Sequence, residues 1–177
     1  MKQIAMRKML QASLLLSLGL ILPFFTAQLP SLGNKLLPMH IPVLLAGFLC
    51  GWPYGLAVGF IVPLLRSLLF GMPPMYPTAL AMAFELAAYG AATGVLYQLL
   101  PRKNIYIYLS LITSMIGGRI IWGSASVLLY GLNGSAFTWK IFITGALLNA
   151  IPGIVIQLII IPLLVIALRD KRILESA

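Results

Sequence analysis

The sequence predicts an all-α integral membrane protein of six transmembrane helices with both termini in the cytoplasm. Three observations lead there. Hydrophobic residues make up 61% of the chain and charged residues 8%, whereas soluble domains are near one quarter charged. Mean hydropathy is +1.04, and the 3 acidic side chains cannot cover a water-exposed surface of this size, so apolar side chains must face lipid. Second, the apolar residues fall into long runs near the roughly 20 residues that a spanning helix needs. Their length and lack of alternation fit helices rather than barrel strands. Third, the basic residues gather at the ends of these runs, as membrane topology rather than nucleic-acid binding requires.

One transmembrane domain, 1–177, is expected, with helices near 10–27, 37–51, 54–71, 79–100, 105–131 and 140–168. Lys2, Arg7 and Lys8 precede the first run, which ends Phe24-Phe25-Thr26-Ala27-Gln28. That is a poor small-x-small cleavage site, so the run reads as a retained helix rather than a signal peptide. Gln28 to Pro38 holds two prolines, a glycine and an asparagine and forms the first loop. The second run is short. A tight turn, Gly51-Trp52-Pro53-Tyr54-Gly55, separates it from the third. The stiff connector Gly71-Met72-Pro73-Pro74-Met75-Tyr76-Pro77 leads to the fourth, and Pro101-Arg102-Lys103-Asn104 to the fifth. Gly131 to Ser135 opens the last connection. The sixth run is long, and Pro152 and Pro162 predict kinks in it.

Placing the N-terminus inside puts Lys2, Arg7, Lys8, Arg102, Lys103, Arg169, Lys171 and Arg172 at cytoplasmic ends, against only Lys35 and Lys140 outside. This is a strong positive-inside bias. The loops at 28–38, 72–78 and 132–139 then face out.

Arg66, Arg119 and Glu85 remain inside apolar runs, where each charge costs roughly 2.5–3.5 kcal/mol on insertion scales. Such residues turn inward, pair, or line a cavity. His40, Asn149 and Gln157 add polar groups in or beside the helices. At 1.5 Å per residue, Arg66 lies about 8 Å below the outer end of its helix, Glu85 about 9 Å, Asn149 about 14 Å and Arg119 about 18 Å. His40 sits at the outer mouth of the second helix. The polar groups therefore gather in the outer half, which suggests a pocket open to the outside rather than a path through the membrane.

Helical faces agree. Arg119, Trp122, Ser126 and Tyr130 form one stripe on the fifth helix, and Glu85 and Tyr89 share a face of the fourth. One charge, hydroxyls and aromatic rings suit a small-ligand site. Glu85 either neutralises whichever arginine it reaches, as a clamp between helices, or contacts ligand. One acid cannot balance two arginines, and the surplus positive charge favours an anionic ligand. Asn149, beside Gly145, Pro152 and Gly153, serves a kink or a ligand. Trp52 and Trp139, at helix ends, fit the interfacial belt. Trp122 lies deeper and is the stacking candidate.

Small residues such as Gly47, Gly51, Gly55, Gly59, Gly90 and Gly94 permit close helix approach. Ser13-xxx-Ser17 on the first helix offers a contact surface for another membrane subunit. Cys50 is alone, so it makes no internal disulfide and no four-ligand zinc site. No cofactor is expected. There is no phosphate-binding GxxxxGK[ST], no HExxH and no GxSxG, and Glu85 is the only acid within a run.

The runs Met39-His-Ile-Pro-Val-Leu-Leu-Ala-Gly-Phe-Leu-Cys-Gly-Trp-Pro-Tyr-Gly-Leu-Ala-Val-Gly59, Pro63-Leu-Leu-Arg-Ser-Leu-Leu-Phe-Gly-Met-Pro-Pro74 and Ala83-Phe-Glu-Leu-Ala-Ala-Tyr-Gly90 with Gly94 resemble the substrate-binding S-components of energy-coupling factor (ECF) transporters, vitamin-uptake type. The resemblance covers nearly the whole chain. It implies a multi-pass protein of a bacterial or archaeal cell membrane that is not an enzyme. Such a protein binds a small vitamin-like substrate at its outer side under the first outer loop. It then docks on an ECF coupling transmembrane subunit driven by two ATPase subunits, and topples to release substrate inside. The family's docking patch of Ala-xxx-Ala type is matched here by Ser13 and Ser17. Within that class the charge surplus leans toward an anionic vitamin such as pantothenate, with a planar vitamin stacked on Trp122 or Tyr130 as its rival. The alternatives are an intramembrane enzyme using Glu85 as an acid and a structural subunit whose buried charges only lock helices.

Overall fold

The computed structural model describes residues 2–26, 35–101, 103–132, 134 and 136–174. Residues 28–34 of the expected first loop, 133 and 135 of the last, and Arg102 lie outside the described residues, as do the side chains of Lys2, Lys171 and Arg172. Among the described residues every regular element is helical. Helix α1 is Lys2–Ile21 and tightens into a 3-10 segment, Leu22–Thr26. There follow α2 (His40–Cys50), α3 (Trp52–Phe70), α4 (Leu80–Leu99), α5 (Asn104–Leu132), the short α6 (Trp139–Ile143) and α7 (Ile151–Leu174).

Two glycines set sharp boundaries because their backbone occupies conformations that side chains disfavour. Gly51, at φ 97°, ends α2 and starts α3, and Gly71, at φ 68°, closes α3 with its N–H on Ser67 O. Pro53 lies in the first turn of α3, where a missing N–H costs nothing.

Among the described residues five helices are long and apolar enough to cross a membrane. The second run is the exception. With 11 residues, α2 extends about 17 Å, roughly half the hydrocarbon thickness. Its residues are buried apart from Ile41 and Leu49, so it is a core helix wrapped by its neighbours. The sixth run also differs. A kink is expected at Pro152; instead the run breaks into α6, a wide turn at Thr144–Leu148, and α7. Pro152 falls in the first turn of α7, the place that tolerates proline. Pro162 stays inside α7. The first helix starts at Lys2 rather than near 10.

Cross-helix contacts give each helix its direction. Tyr54 Oη lies 3.5 Å from Ala5 O, and a β-carbon on Gly19 would meet Val62, so α1 and α3 run together. Gly59 faces Leu86 and Gly94 faces Trp52, so α4 runs against α3. Gly118 faces Tyr89, and Arg169 Nη2 donates to Asn104 Oδ1 at 2.7 Å, so α5 opposes both α4 and α7. One end of the bundle therefore carries His40, Phe70, Leu80 and Ile151, and the other carries Cys50, Leu99 and Asn104.

Close approach of α3 and α4 rests on missing side chains. A β-carbon on Gly55 would overlap Gly90 O, one on Gly90 would overlap the Gly55 backbone, and one on Gly59 would overlap Leu86 O. Small residues at such crossings let backbones pack directly. Beside them, Val43, Leu44, Leu86, Ile107, Leu111, Ile161 and Val165 form the core where α2, α4, α5 and α7 meet. The outer surface is apolar: Met9, Leu10 and Leu14 on α1, Ile112, Ile116 and Ile120 on α5, and Val155, Ile159 and Leu163 on α7 are exposed. So continuous an apolar exterior belongs against lipid.

The α3–α4 crossing predicts opposite outcomes at two glycines. Gly90→Ala should lower stability by about 1–3 kcal/mol through overpacking. At Gly117 a β-carbon meets nothing within 4 Å, so Gly117→Ala should be neutral or raise stability by up to about 1 kcal/mol. Thermal unfolding in detergent measures both, and equal effects would contradict the packing described.

Candidate functional site

Glu85 lies about 8 Å along α4 from its first residue, and its side chain is 2% exposed. A lone carboxylate at that depth would be prohibitive. The fold supplies three neighbours from three helices. Arg119 Nη1 on α5 lies 2.9 Å from Glu85 Oε1. The Tyr89 hydroxyl, one turn along α4, donates to the same oxygen at 3.1 Å. His40 Nε2, on the first residue of α2, stands 3.7 Å away, beyond hydrogen-bond range. The His40 and Tyr89 rings are 5.4 Å apart. Gly118 makes the junction possible: the Tyr89 ring occupies the place where its β-carbon would be, drawing α4 onto α5 next to Arg119.

The depths expected from sequence put Arg119 about 9 Å below Glu85, yet the two touch. The reason is the length of α5. Its 29 residues carry the end near Leu132 past the start of α4, and Tyr76 Oη ties to that projection by donating to Leu129 O at 2.6 Å.

An aromatic group covers the projecting end. Trp122 lies 5.6 Å from Phe137 and 6.1 Å from Phe142, centroid to centroid. Phe142 stacks on Trp139 at 5.1 Å, and Tyr130 meets Phe137 at 5.5 Å. β-carbons on Gly123 and Gly145 would strike Phe142 and Trp122, so both glycines are needed for this contact between α5 and the broken sixth run. Arg119 Cζ stands 6.0 Å from the Trp122 ring, which links the ion pair to the aromatic group.

Arg66 is not brought to Glu85. Its Nη1 donates to Leu20 O, and its guanidinium lies 4.9 Å from the Phe24 ring and 5.3 Å from Phe70. Gly59 is level with Leu86, so Arg66, seven residues on, lies about 10 Å nearer the His40 end. It fastens the end of α1 to the end of α3. The expected surplus of positive charge beside Glu85 is therefore absent, and the lean toward an anionic ligand loses its physical basis. Asn149 is half-buried in the break of the sixth run, its N–H bonded to Thr144 O at 2.9 Å. Trp139, expected in an interfacial belt, is exposed at the start of α6 and also stacks on Phe142. Ser13 and Ser17 are exposed on α1, with hydroxyls turned back onto Met9 O and Ser13 O, each at 3.0 Å.

One feature escapes a reading by sequence. Phe137 reaches Trp122 from the last connection and Phe142 from α6, and no spacing along the fifth helix marks either. Gln157, already marked as one amide within Ile-Val-Ile-Gln-Leu-Ile-Ile-Ile, is fully buried. Among the described residues no group of three or more His, Cys, Asp or Glu could hold a metal ion. The constellation offers one neutralised ion pair, hydroxyl, imidazole and amide groups, and an aromatic wall, which are means of binding.

A family model described as "ECF transporter, substrate-specific component" matches residues 7–165. No curated protein and no solved structure matches the chain.

The ion pair sets an order of costs. Glu85→Ala or Arg119→Ala alone should destabilise by about 3–5 kcal/mol, because each leaves one charge buried without its partner. Glu85→Leu combined with Arg119→Met should cost less than either, read by thermal unfolding of the purified variants. Additive costs would contradict a mutually neutralised pair.

Proposed function

The chain belongs to the family of ECF transporter substrate-specific components, which are membrane substrate-binding subunits for uptake, and on that premise we propose that it captures a small vitamin-like nutrient between α2, α4, α5 and α7. The observation that carries the proposal is the convergence of Glu85, Arg119, Tyr89 and His40 from three helices beside the Trp122 aromatic group. A site built by rigid elements holds its groups in fixed geometry, which lowers the ordering cost of binding. Trp122 and Tyr130 supply planar faces for a ring, and Arg119 and His40 supply polar contacts. Asn149, at the break above α7, borders the same end of the bundle.

In this proposal the bundle crosses the bilayer with both termini cytoplasmic and its His40 end outward. The basic residues support that direction. Arg7 and Lys8 at the start of α1, Lys103 before α5, and Arg169 near the end of α7 lie at the Asn104 end, against Lys35 and Lys140 at the other. That asymmetry supports a cytoplasmic Asn104 end. The short α2 completes the sixth segment without having to span. Ser13 and Ser17 spend their hydroxyls on their own helix and leave a shallow, apolar strip along α1. Such a strip admits close approach of another helix and suits docking on an ECF coupling transmembrane subunit with its two ATPases. An enzymatic role for Glu85 fits poorly, because its carboxylate is already engaged by Arg119 and Tyr89.

The test is whether the purified protein carries or takes up a nutrient. Mass spectrometry of the denatured protein, with binding across a panel of vitamins, should identify one bound compound. Trp122→Ala should weaken its affinity about tenfold, or ~1.4 kcal/mol. Arg66→Gln, altered at the α1–α3 fastening, should leave that affinity within about threefold. Absence of binding across the panel would overturn the proposal.

A further inference from the structure

Seven buried side-chain polar atoms among the described residues have no hydrogen-bond partner, and five of them belong to three residues: His40 Nδ1 and Nε2, Arg119 Nε, and Gln157 Oε1 and Nε2. The other two are the hydroxyls of Ser110 and Ser126. A helical serine can turn its hydroxyl to the carbonyl one turn back, so those two are easily satisfied. An imidazole, a guanidinium Nε and a primary amide have no such local escape. A buried polar group left unpaired destabilises the fold, and Gln157 is 0% exposed.

The three residues occupy one layer. A β-carbon on Gly153 would meet Lys35 O and Leu37, and α7 runs in the same direction as α2. One turn further along, Gln157 is therefore level with His40. The opposite end gives an independent register. Arg169 bonds Asn104; Gln157 lies about 18 Å back along α7 from Arg169, and Arg119 about 22 Å along α5 from Asn104. The two agree to within one helical turn. Because α7 packs on α2 and α5, its buried face looks onto the helices that carry His40 and Arg119.

We propose that Gln157, with His40 and Arg119 Nε, reads the polar edge of an uncharged, planar ligand that presents donors and acceptors side by side, such as a carboxamide, lactam or imide-bearing ring. The proposal rests on the uptake function above and names its substrate class. Charge decides against an anion: Arg119 is matched by Glu85 at 2.9 Å, and Arg66 is held by Leu20 O away from the layer. Hydrogen-bond inventory decides the edge. Gln157 brings two donors and an acceptor, a neutral imidazole brings one of each, and Arg119 Nε brings a donor. A carboxylate, which only accepts, would leave the Gln157 carbonyl unpaired. A ring carrying such an edge also fits against Trp122, which stands beside Arg119.

Matched pairs in which a neutral carboxamide or hydroxymethyl group replaces a carboxylate test this on the unaltered protein: nicotinamide against nicotinate, pantothenol against pantothenate, and biotinamide against biotin, together with the charge of whatever compound is released on denaturation. A neutral released compound, or at least tenfold preference for the neutral member of a pair, is expected. A carboxylate or phosphate compound, or preference for the acid, would overturn the neutral-ligand inference while leaving uptake intact. Binding of neither class, with nothing released, would remove uptake itself. Gln157→Leu supplies a second reading, since replacing an unpaired buried amide by an apolar isostere spares or raises stability. Affinity should fall at least tenfold while the ligand-free melting temperature holds or rises. A fall in melting temperature with affinity unchanged would make Gln157 a structural residue and overturn its assignment.

Discussion

The Glu85–Arg119 ion pair is the constraint on which the rest of the molecule turns. A carboxylate in the middle of a lipid-embedded bundle is tolerable only with a cation within reach. Meeting that demand fixes the relative height and rotation of α4 and α5. Tyr89 completes the carboxylate's shell, and its ring needs the bare Gly118 to lie flat against α5. Once that register is set, the long α5 must overshoot its neighbours. Its projecting end then has to be covered, and the broken sixth run covers it with Phe137, Trp139 and Phe142. The aromatic group thus follows from the ion pair and from the unequal lengths of the two helices that make it.

The bundle divides into a packed part and a polar part. Where α3 crosses α4, backbones touch through Gly55, Gly59 and Gly90, and α2 is sunk between them. Direct backbone contact of this kind leaves little room for rearrangement. On the other side, α5 and α7 meet α2 with an imidazole, a guanidinium Nε and an amide that have no hydrogen-bond partner among the described residues. A rigid frame holding incompletely satisfied polar groups is what a selective binder needs, since the ligand completes the hydrogen bonding. Arg66 belongs to the frame: between Phe24 and Phe70, with Leu20 O as acceptor, it fastens α1 just before the first loop.

Much of this was legible in the residues. Composition and run length point to helices in a membrane, and among the described residues five have spanning length. The glycines at 47, 55, 59, 90 and 94 announced close packing. The faces shared by Glu85 with Tyr89 and by Arg119 with Trp122 were readable from helical spacing. The signature of an ECF S-component lay in the same runs that the family model matches. What was not legible had a common cause, namely relations between helices. Sequence spacing places a residue along its own axis but not against a neighbour's. Thus spacing alone leaves open which arginine Glu85 reaches, leaves Arg66 free to join them, and makes Gln157 one polar residue among several. The break before α7 reads in sequence as a kink at Pro152, because a proline in the first turn of a new helix and a proline inside an old one look alike in a string of letters.

An experimental density map of the protein carrying the nutrient with which it purifies would test the central claim most directly. Density for that compound bordered by Arg119, Trp122 and Gln157, with Glu85 still bound to Arg119, is the predicted result. Density at the Arg66 fastening or outside the helices, or those three side chains packed against one another with no compound between them, would contradict it.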